Sequence, residues 1–267
     1  MRNITLIFCF ILSTLSVFAS RVDTITVPSA SMQKEIKVVT IVPEIALQGT
    51  RCPVIYLLHG YSGNHRSWLE TKPELRAIAD RENVIFVCPD GWVSWYWDSP
   101  KNPNVRYETF ISAELIEYID THLPTIADRK ARAITGLSMG GHGALWNAIR
   151  HTDVFGAAGS TSGGVDIRPF PKSWQMKEQL GERDKNKEIW DSHTVINQLD
   201  QLKNGELALV IDCGYDDFFM EVNNQLHQKL NEKKIDHDFL TRPGGHTHPY
   251  WNNSIDYQIL FFKKFFR

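Results

Sequence analysis

The stretch Arg132-Ala133-Ile134-Thr135-Gly136-Leu137-Ser138-Met139-Gly140-Gly141-His142-Gly143-Ala144-Leu145 decides the fold. Its first residues form a short apolar run of the buried-strand type, and its last residues have helix-forming character. Between them lies Gly-x-Ser-x-Gly, the sequence of a tight strand-to-helix turn that lifts a serine out of the sheet. A serine hydroxyl is a weak nucleophile unless a base is held against it, and so sharp a turn crowds its neighbours. Gly136 and Gly140 supply the missing side chains that this crowding demands. A helix beginning at Met139 would also aim backbone N–H groups at any anion forming beside Ser138.

Outward from this segment, apolar runs bounded by Gly, Pro or Asp alternate with segments whose apolar residues are spaced three and four apart. The runs are Glu35 to Val42, Val54 to Leu58, Val84 to Cys88, Arg132 to Thr135, Ala157 to Ser160, Leu207 to Cys213 and Asp236 to Thr241. Helical stripes follow through Phe110, Ile111, Leu115, Tyr118 and Ile119, through Phe219, Val222, Leu226 and Leu230, and through Ile255, Ile259, Phe262 and Phe266. This alternation predicts an α/β fold with a mostly parallel central sheet covered by helices. Residues 164–205, charged and weakly periodic, read as an insertion over the sheet, so residues 20–267 form a single catalytic domain.

A nucleophilic serine in this setting needs an acid and a histidine later in the chain. Asp212-Cys213-Gly214-Tyr215-Asp216-Asp217-Phe218 ends a strand with acids around a glycine turn, and Asp212, Asp216 and Asp217 compete for the role. Position favours the two beyond the turn. Arg242-Pro243-Gly244-Gly245-His246-Thr247-His248 presents His246 as the base. His248 reads as a rim residue, and with no third ligand nearby His246-Thr247-His248 gives no metal site. Leu57-Leu58-His59-Gly60-Tyr61 supplies a second oxyanion donor, the Tyr61 N–H, to join the Met139 N–H. His59 reads as structural.

Taken together, Leu57-Leu58-His59-Gly60, Pro89-Asp90-Gly91, Ser94-Trp95-Tyr96, Tyr107-Glu108-Thr109-Phe110, Gly136-Leu137-Ser138-Met139-Gly140-Gly141, Gly214-Tyr215-Asp216-Asp217-Phe218 and Gly244-Gly245-His246-Thr247 resemble the esterase D group of α/β-hydrolases. That group includes feruloyl and acetylxylan esterases, S-formylglutathione hydrolases, tributyrin esterases and mycolyltransferases. The resemblance implies an α/β-hydrolase fold, a catalytic Ser138, Asp217 and His246, oxyanion donors at Tyr61 and Met139, and no cofactor. The acid falls on Asp217 because it is the fourth residue of the group's Gly-x-x-Asp pattern.

Composition bounds the partners. With 29 basic and 31 acidic residues and a formal charge of -2, the 267-residue chain offers no electrostatic footprint for nucleic acid. Residues 1–19 read as a secretory signal peptide, with a basic start, an apolar stretch and cleavage after Ala19 in preference to Ser20. This predicts a secreted or periplasmic protein without stable membrane insertion. Cys52, Cys88 and Cys213 then remain, too few for a disulfide framework. Trp92, Trp95, Tyr96 and Trp97 follow a strand and are expected either to form an exposed stacking surface for a sugar or phenolic ring or to pack against the insertion at residues 164–205 as a pocket wall. The expected activity is removal of acetyl or feruloyl groups from plant polysaccharide or oligosaccharide. The alternatives are a generic short-chain or S-formylglutathione-hydrolase-like esterase and, from another class, a non-catalytic carbohydrate-binding relative.

Overall fold

The computed structural model describes residues 19–266, so the leader read at residues 1–19 lies, but for Ala19, outside the described residues. Eight strands form one sheet: β1 (Arg21–Ser29), β2 (Lys34–Val42), β3 (Val54–Leu58), β4 (Ile85–Pro89), β5 (Arg132–Gly136), β6 (Ala157–Thr161), β7 (Ala208–Gly214) and β8 (Asp238–Arg242). Their spatial order is β1-β2-β4-β3-β5-β6-β7-β8. From β4 to β8 every pairing is parallel, whereas β1 pairs with β2, and β2 with β4, antiparallel. This is the mostly parallel sheet that the alternating pattern predicts. β1 was not among the expected strands: it is the sheet's edge, and most of its residues are exposed or half-buried.

The central strands are buried on both faces, and side chains along each alternate between two cores. In β3, Val54, Tyr56 and Leu58 face one core, while Ile55 and Leu57 face the other. Five longer helices cover the sheet: α1 (Leu75–Glu82), α2 (Leu115–His122), α3 (Met139–Arg150), α4 (Met220–Glu232) and α5 (His248–Phe265). Helices α1 and α5 share a core through Leu75, Ile78, Ile255, Ile259 and Phe262, and α3 lies in the opposite one. Among the described residues, Cys52, Cys88 and Cys213 are buried free thiols.

Between β6 and β7 the expected insertion forms short helices at Met176–Leu180, Lys187–Ser192 and Val195–Gln198. It is seated by Trp190, which is fully buried and donates its indole N–H to the Gly181 carbonyl at 2.9 Å. Among the described residues no helix is long and apolar enough to cross a membrane.

Candidate active site

The turn between β5 and α3 places Ser138 at φ 55°, ψ −116°, a conformation a non-glycine residue keeps only when its surroundings enforce it. Those surroundings are backbone at very short range. A Cβ on Gly140 would stand 2.2 Å from the Leu58 carbonyl oxygen, and one on Gly136 would stand 2.5 Å from Gly140. The Ser138 N–H donates to the Thr161 carbonyl at 2.9 Å, which ties the turn to β6.

The partner loops come from the ends of β7 and β8 and are locked together through their backbones. Tyr215 N–H donates to the Arg242 carbonyl and Asp216 N–H to the Gly244 carbonyl, at 2.9 and 3.0 Å. Gly214 permits this approach, since a Cβ there would lie 2.1 Å from the Gly244 oxygen. The result is a continuous chain of hydrogen bonds. His246 Nε2 lies 2.9 Å from Ser138 Oγ, and His246 Nδ1 lies 2.9 and 3.1 Å from the two Asp217 oxygens.

The same geometry separates the three acids, since only Asp217 lies within hydrogen-bond reach of His246. Asp217 is buried, and its Oδ1 also accepts the Phe219 N–H at 2.8 Å. Asp216 is exposed and makes no side-chain hydrogen bond. Asp212 is buried within β7, where Arg242 and Tyr250 hold its carboxylate away from His246. Burial pushes the Asp212 carboxyl above its ordinary range, partly offset by those two partners. It buttresses the histidine loop.

Among the described residues, neither the Tyr61 nor the Met139 N–H has an acceptor. Tyr61 lines the same cleft as Ser138 and Met139 directly follows Ser138, which makes both N–H groups candidates for the donors an oxyanion requires. His59 is structural, as expected: its Nδ1 lies 2.7 Å from the Gly60 carbonyl, and its Nε2 accepts the Gly91 N–H at 2.8 Å. The imidazole thereby pins the Gly60–Tyr61 turn to the end of β4.

Of the two expectations for the aromatic residues after β4, the exposed platform is overturned for Trp95, Tyr96 and Trp97, and packing against the insertion holds for Trp95 and Trp97. Trp95, Tyr96 and Trp97 are buried and offer no face to a ligand. Trp95 and Trp97 stack on each other at 5.6 Å, and His142 of α3 meets both edge-on at 5.2 and 5.1 Å. The Tyr96 hydroxyl donates to the His59 carbonyl at 3.1 Å. From the insertion, the Trp174 ring lies 5.9 Å from Trp95 and the His193 ring 5.9 Å from Trp97. Trp92 is 45% exposed but lines a separate depression with Lys37, His65 and Asp90.

The cleft that contains Ser138 and His246 holds about 470 Å³. One side carries Trp174 and Phe218, stacked at 5.8 Å with an interplanar angle of 21°. Phe218 also lies 4.3 Å from the His246 ring. The lining also includes the polar Asn64, Ser67, Glu70, Thr71 and His248. His248 is thus a rim residue, its Nδ1 lying 2.9 Å from Thr71 Oγ1. Trp174 and Phe218 were not assigned from sequence. Their only signal was a tryptophan in an otherwise charged insertion and an aromatic residue directly after the acid.

The family described as "Putative esterase" matches residues 29–262. An acetyl esterase of Caldicellulosiruptor saccharolyticus is 30% identical over 215 residues, covering 75% of this chain and 79% of that protein. A mouse (Mus musculus) S-formylglutathione hydrolase is 24% identical, covering 75% of this chain and 78% of its own. A solved ferulic acid esterase superposes with a TM-score of 0.82 at 26% identity, covering 94% of this chain and 100% of its own. By the extent of that family match and by the acetyl esterase's identity and coverage, the chain belongs to the esterase family of α/β-hydrolases.

Proposed function

We propose that this esterase is exported and cleaves its substrate through an acyl-enzyme on Ser138, with His246 as general base and Asp217 as its orienting acid. The observation that carries the reading is the unbroken Asp217–His246–Ser138 chain, together with the Tyr61 and Met139 N–H groups that have no acceptor among the described residues. Asp217 accepts the hydrogen bond of the His246 Nδ1–H and keeps the proton on that nitrogen, which leaves Nε2 free to take the proton of Ser138 Oγ as the hydroxyl attacks the ester carbonyl. The oxyanion that forms is met by the Tyr61 and Met139 N–H groups. His246 then returns the proton to the departing alcohol. A water, deprotonated by the same imidazole, releases the acid. These steps call on side chains and backbone alone.

The favoured substrate is an acetylated or feruloylated plant polysaccharide or oligosaccharide. Its support is the pairing of a flat aromatic face at Trp174 and Phe218 with polar lining residues able to hydrogen-bond hydroxyl groups. An apolar leader at residues 1–19 is consistent with a substrate met outside the cytoplasm. The second reading is a generic short-chain or S-formylglutathione-hydrolase-like esterase, favoured by similarity to the mouse protein.

Release of acetate and ferulate from xylan, compared with hydrolysis of aryl esters of increasing chain length, separates the two. Saccharide ester cleavage supports the first reading. Turnover of aryl or thiol esters alone moves the assignment to the second.

A further inference from the structure

Ser20, just before β1, is built into the protein as an anchor. Its backbone nitrogen donates to Asp80 Oδ2 at 2.9 Å, its hydroxyl donates to the Arg76 carbonyl at 2.9 Å, and its own carbonyl accepts Arg76 Nε at 2.8 Å. Ser20 is buried, whereas Ala19 is exposed and makes none of these contacts. The receiving residues Arg76 and Asp80 stand one turn apart on α1. Asp80 holds its second oxygen on the Glu44 N–H at 2.8 Å. Asp80 is half-buried, both of its oxygens accept backbone N–H groups, and among the described residues it has no Lys, Arg or His ion-pair partner.

We propose that the Ala19–Ser20 bond is the site at which the leader is cut, and that Asp80 is the pre-built partner of the ammonium created there. The proposal rests on the exported-enzyme reading. A leader peptidase hydrolyses the amide: the water hydroxyl goes to the Ala19 acyl carbon, which leaves with the leader as a carboxylate. The Ser20 nitrogen takes the water's proton and, near neutral pH, one more from solvent.

The bond from the neutral N–H to the Asp80 carboxylate, charge-assisted on the acceptor side only, thereby becomes a hydrogen-bonded ion pair without any movement of the chain. Loss of Ala19 opens the other face of the nitrogen to water, so the new charge is solvated on one side and paired on the other. Cutting one residue later would place the bulky Phe18 at the third position before the cut, where small residues are wanted, and would discard every Ser20 contact.

Two experiments test this. The full chain, exported by a bacterial host, is expected to have an intact mass beginning at Ser20. A mass beginning at Arg21 or beyond, or a retained leader, overturns the cleavage site, and a leader-bearing protein held in the cytoplasm also overturns the export reading.

Independently of export, residues 20–267 are made behind a tag whose protease leaves Ser20 first. Removing the tag is expected to raise Tm by about 2–4 °C in the parent and not in Asp80→Asn. Equal shifts in both proteins, or none in the parent, overturn the role of Asp80. Should Asp80→Asn not fold, acetylation of the parent's Ser20 amine reads the same pairing. It is expected to be about tenfold slower in the native protein than in the urea-unfolded chain, for a pKa raised by about one unit, and equal rates refute it.

Discussion

Replacing Asp217 with Asn changes one atom of a buried side chain, and the surrounding hydrogen bonds determine what that atom does. Phe219 N–H donates to Oδ1 at 2.8 Å and so demands an oxygen at that position. The amide nitrogen of the variant therefore takes the place of Oδ2, 2.9 Å from His246 Nδ1. A donor facing Nδ1 forces that nitrogen to accept, which moves the ring proton to Nε2, against Ser138 Oγ. The imidazole then has no lone pair for the serine proton. A histidine held in the wrong tautomer costs about 10⁴-fold in turnover, or about 5.5 kcal/mol of transition-state stabilisation. The fold survives, because shape and one hydrogen bond are retained.

Asp216→Asn, at an exposed side chain without partners, is expected to stay within about twofold of the parent, as exposed substitutions do. The assay is steady-state hydrolysis of an aryl acetate by the two purified variants, with Tm recorded for each. Asp217→Asn within tenfold of the parent, or a larger loss in Asp216→Asn, would refute the reasoning.

Two further outcomes are expected. Burial holds His142 far below its ordinary range, at about 3 despite its hydrogen bond to the Gly164 carbonyl, and burial also lowers His193. The unfolded chain therefore binds protons that the native state refuses: stability is full above pH 6.5 and is lost as pH falls towards 3, by about 1.4 kcal/mol per unit for His142. Urea unfolding at pH 7 and pH 5 should show the fall in the parent and a shallower one in His142→Gln, and identical slopes would contradict this. Trp174→Ala should raise KM for a feruloyl ester roughly tenfold while sparing an acetyl ester, since only the larger acyl group needs the aromatic face; parallel losses on both would assign Trp174 to structure alone.

The elements that were legible in the sequence are those whose cause is local. Runs such as Val54–Leu58 and Ala208–Gly214 are buried on both faces, so apolar continuity betrays them. The Ser138 turn announces itself because only glycine fits against Leu58 and Gly140. β1 escaped because an edge strand needs little apolar surface, and Val22 is itself exposed.

The aromatic residues after β4 are ambiguous in the sequence for a different reason. Trp95 and Trp97 lie beyond a strand C-terminus, as ligand-binding residues do, but their exposure is decided by Trp174 and His193, each more than seventy residues away. The face the cleft does present, Trp174 on Phe218, unites two segments that no sequence window contains together. Choosing Asp217 over Asp216 likewise needed either the family's register or the backbone lock between Asp216 and Gly244.

The measurement closest to the central claim is turnover of Ser138→Ala on an aryl acetate, made on protein shown by its Tm to be folded. Without the hydroxyl no acyl-enzyme can form, and only binding and the two N–H donors remain to assist water. The account predicts a loss on the order of 10⁶-fold in kcat. A folded Ser138→Ala protein that hydrolyses the ester within tenfold of the parent would contradict it.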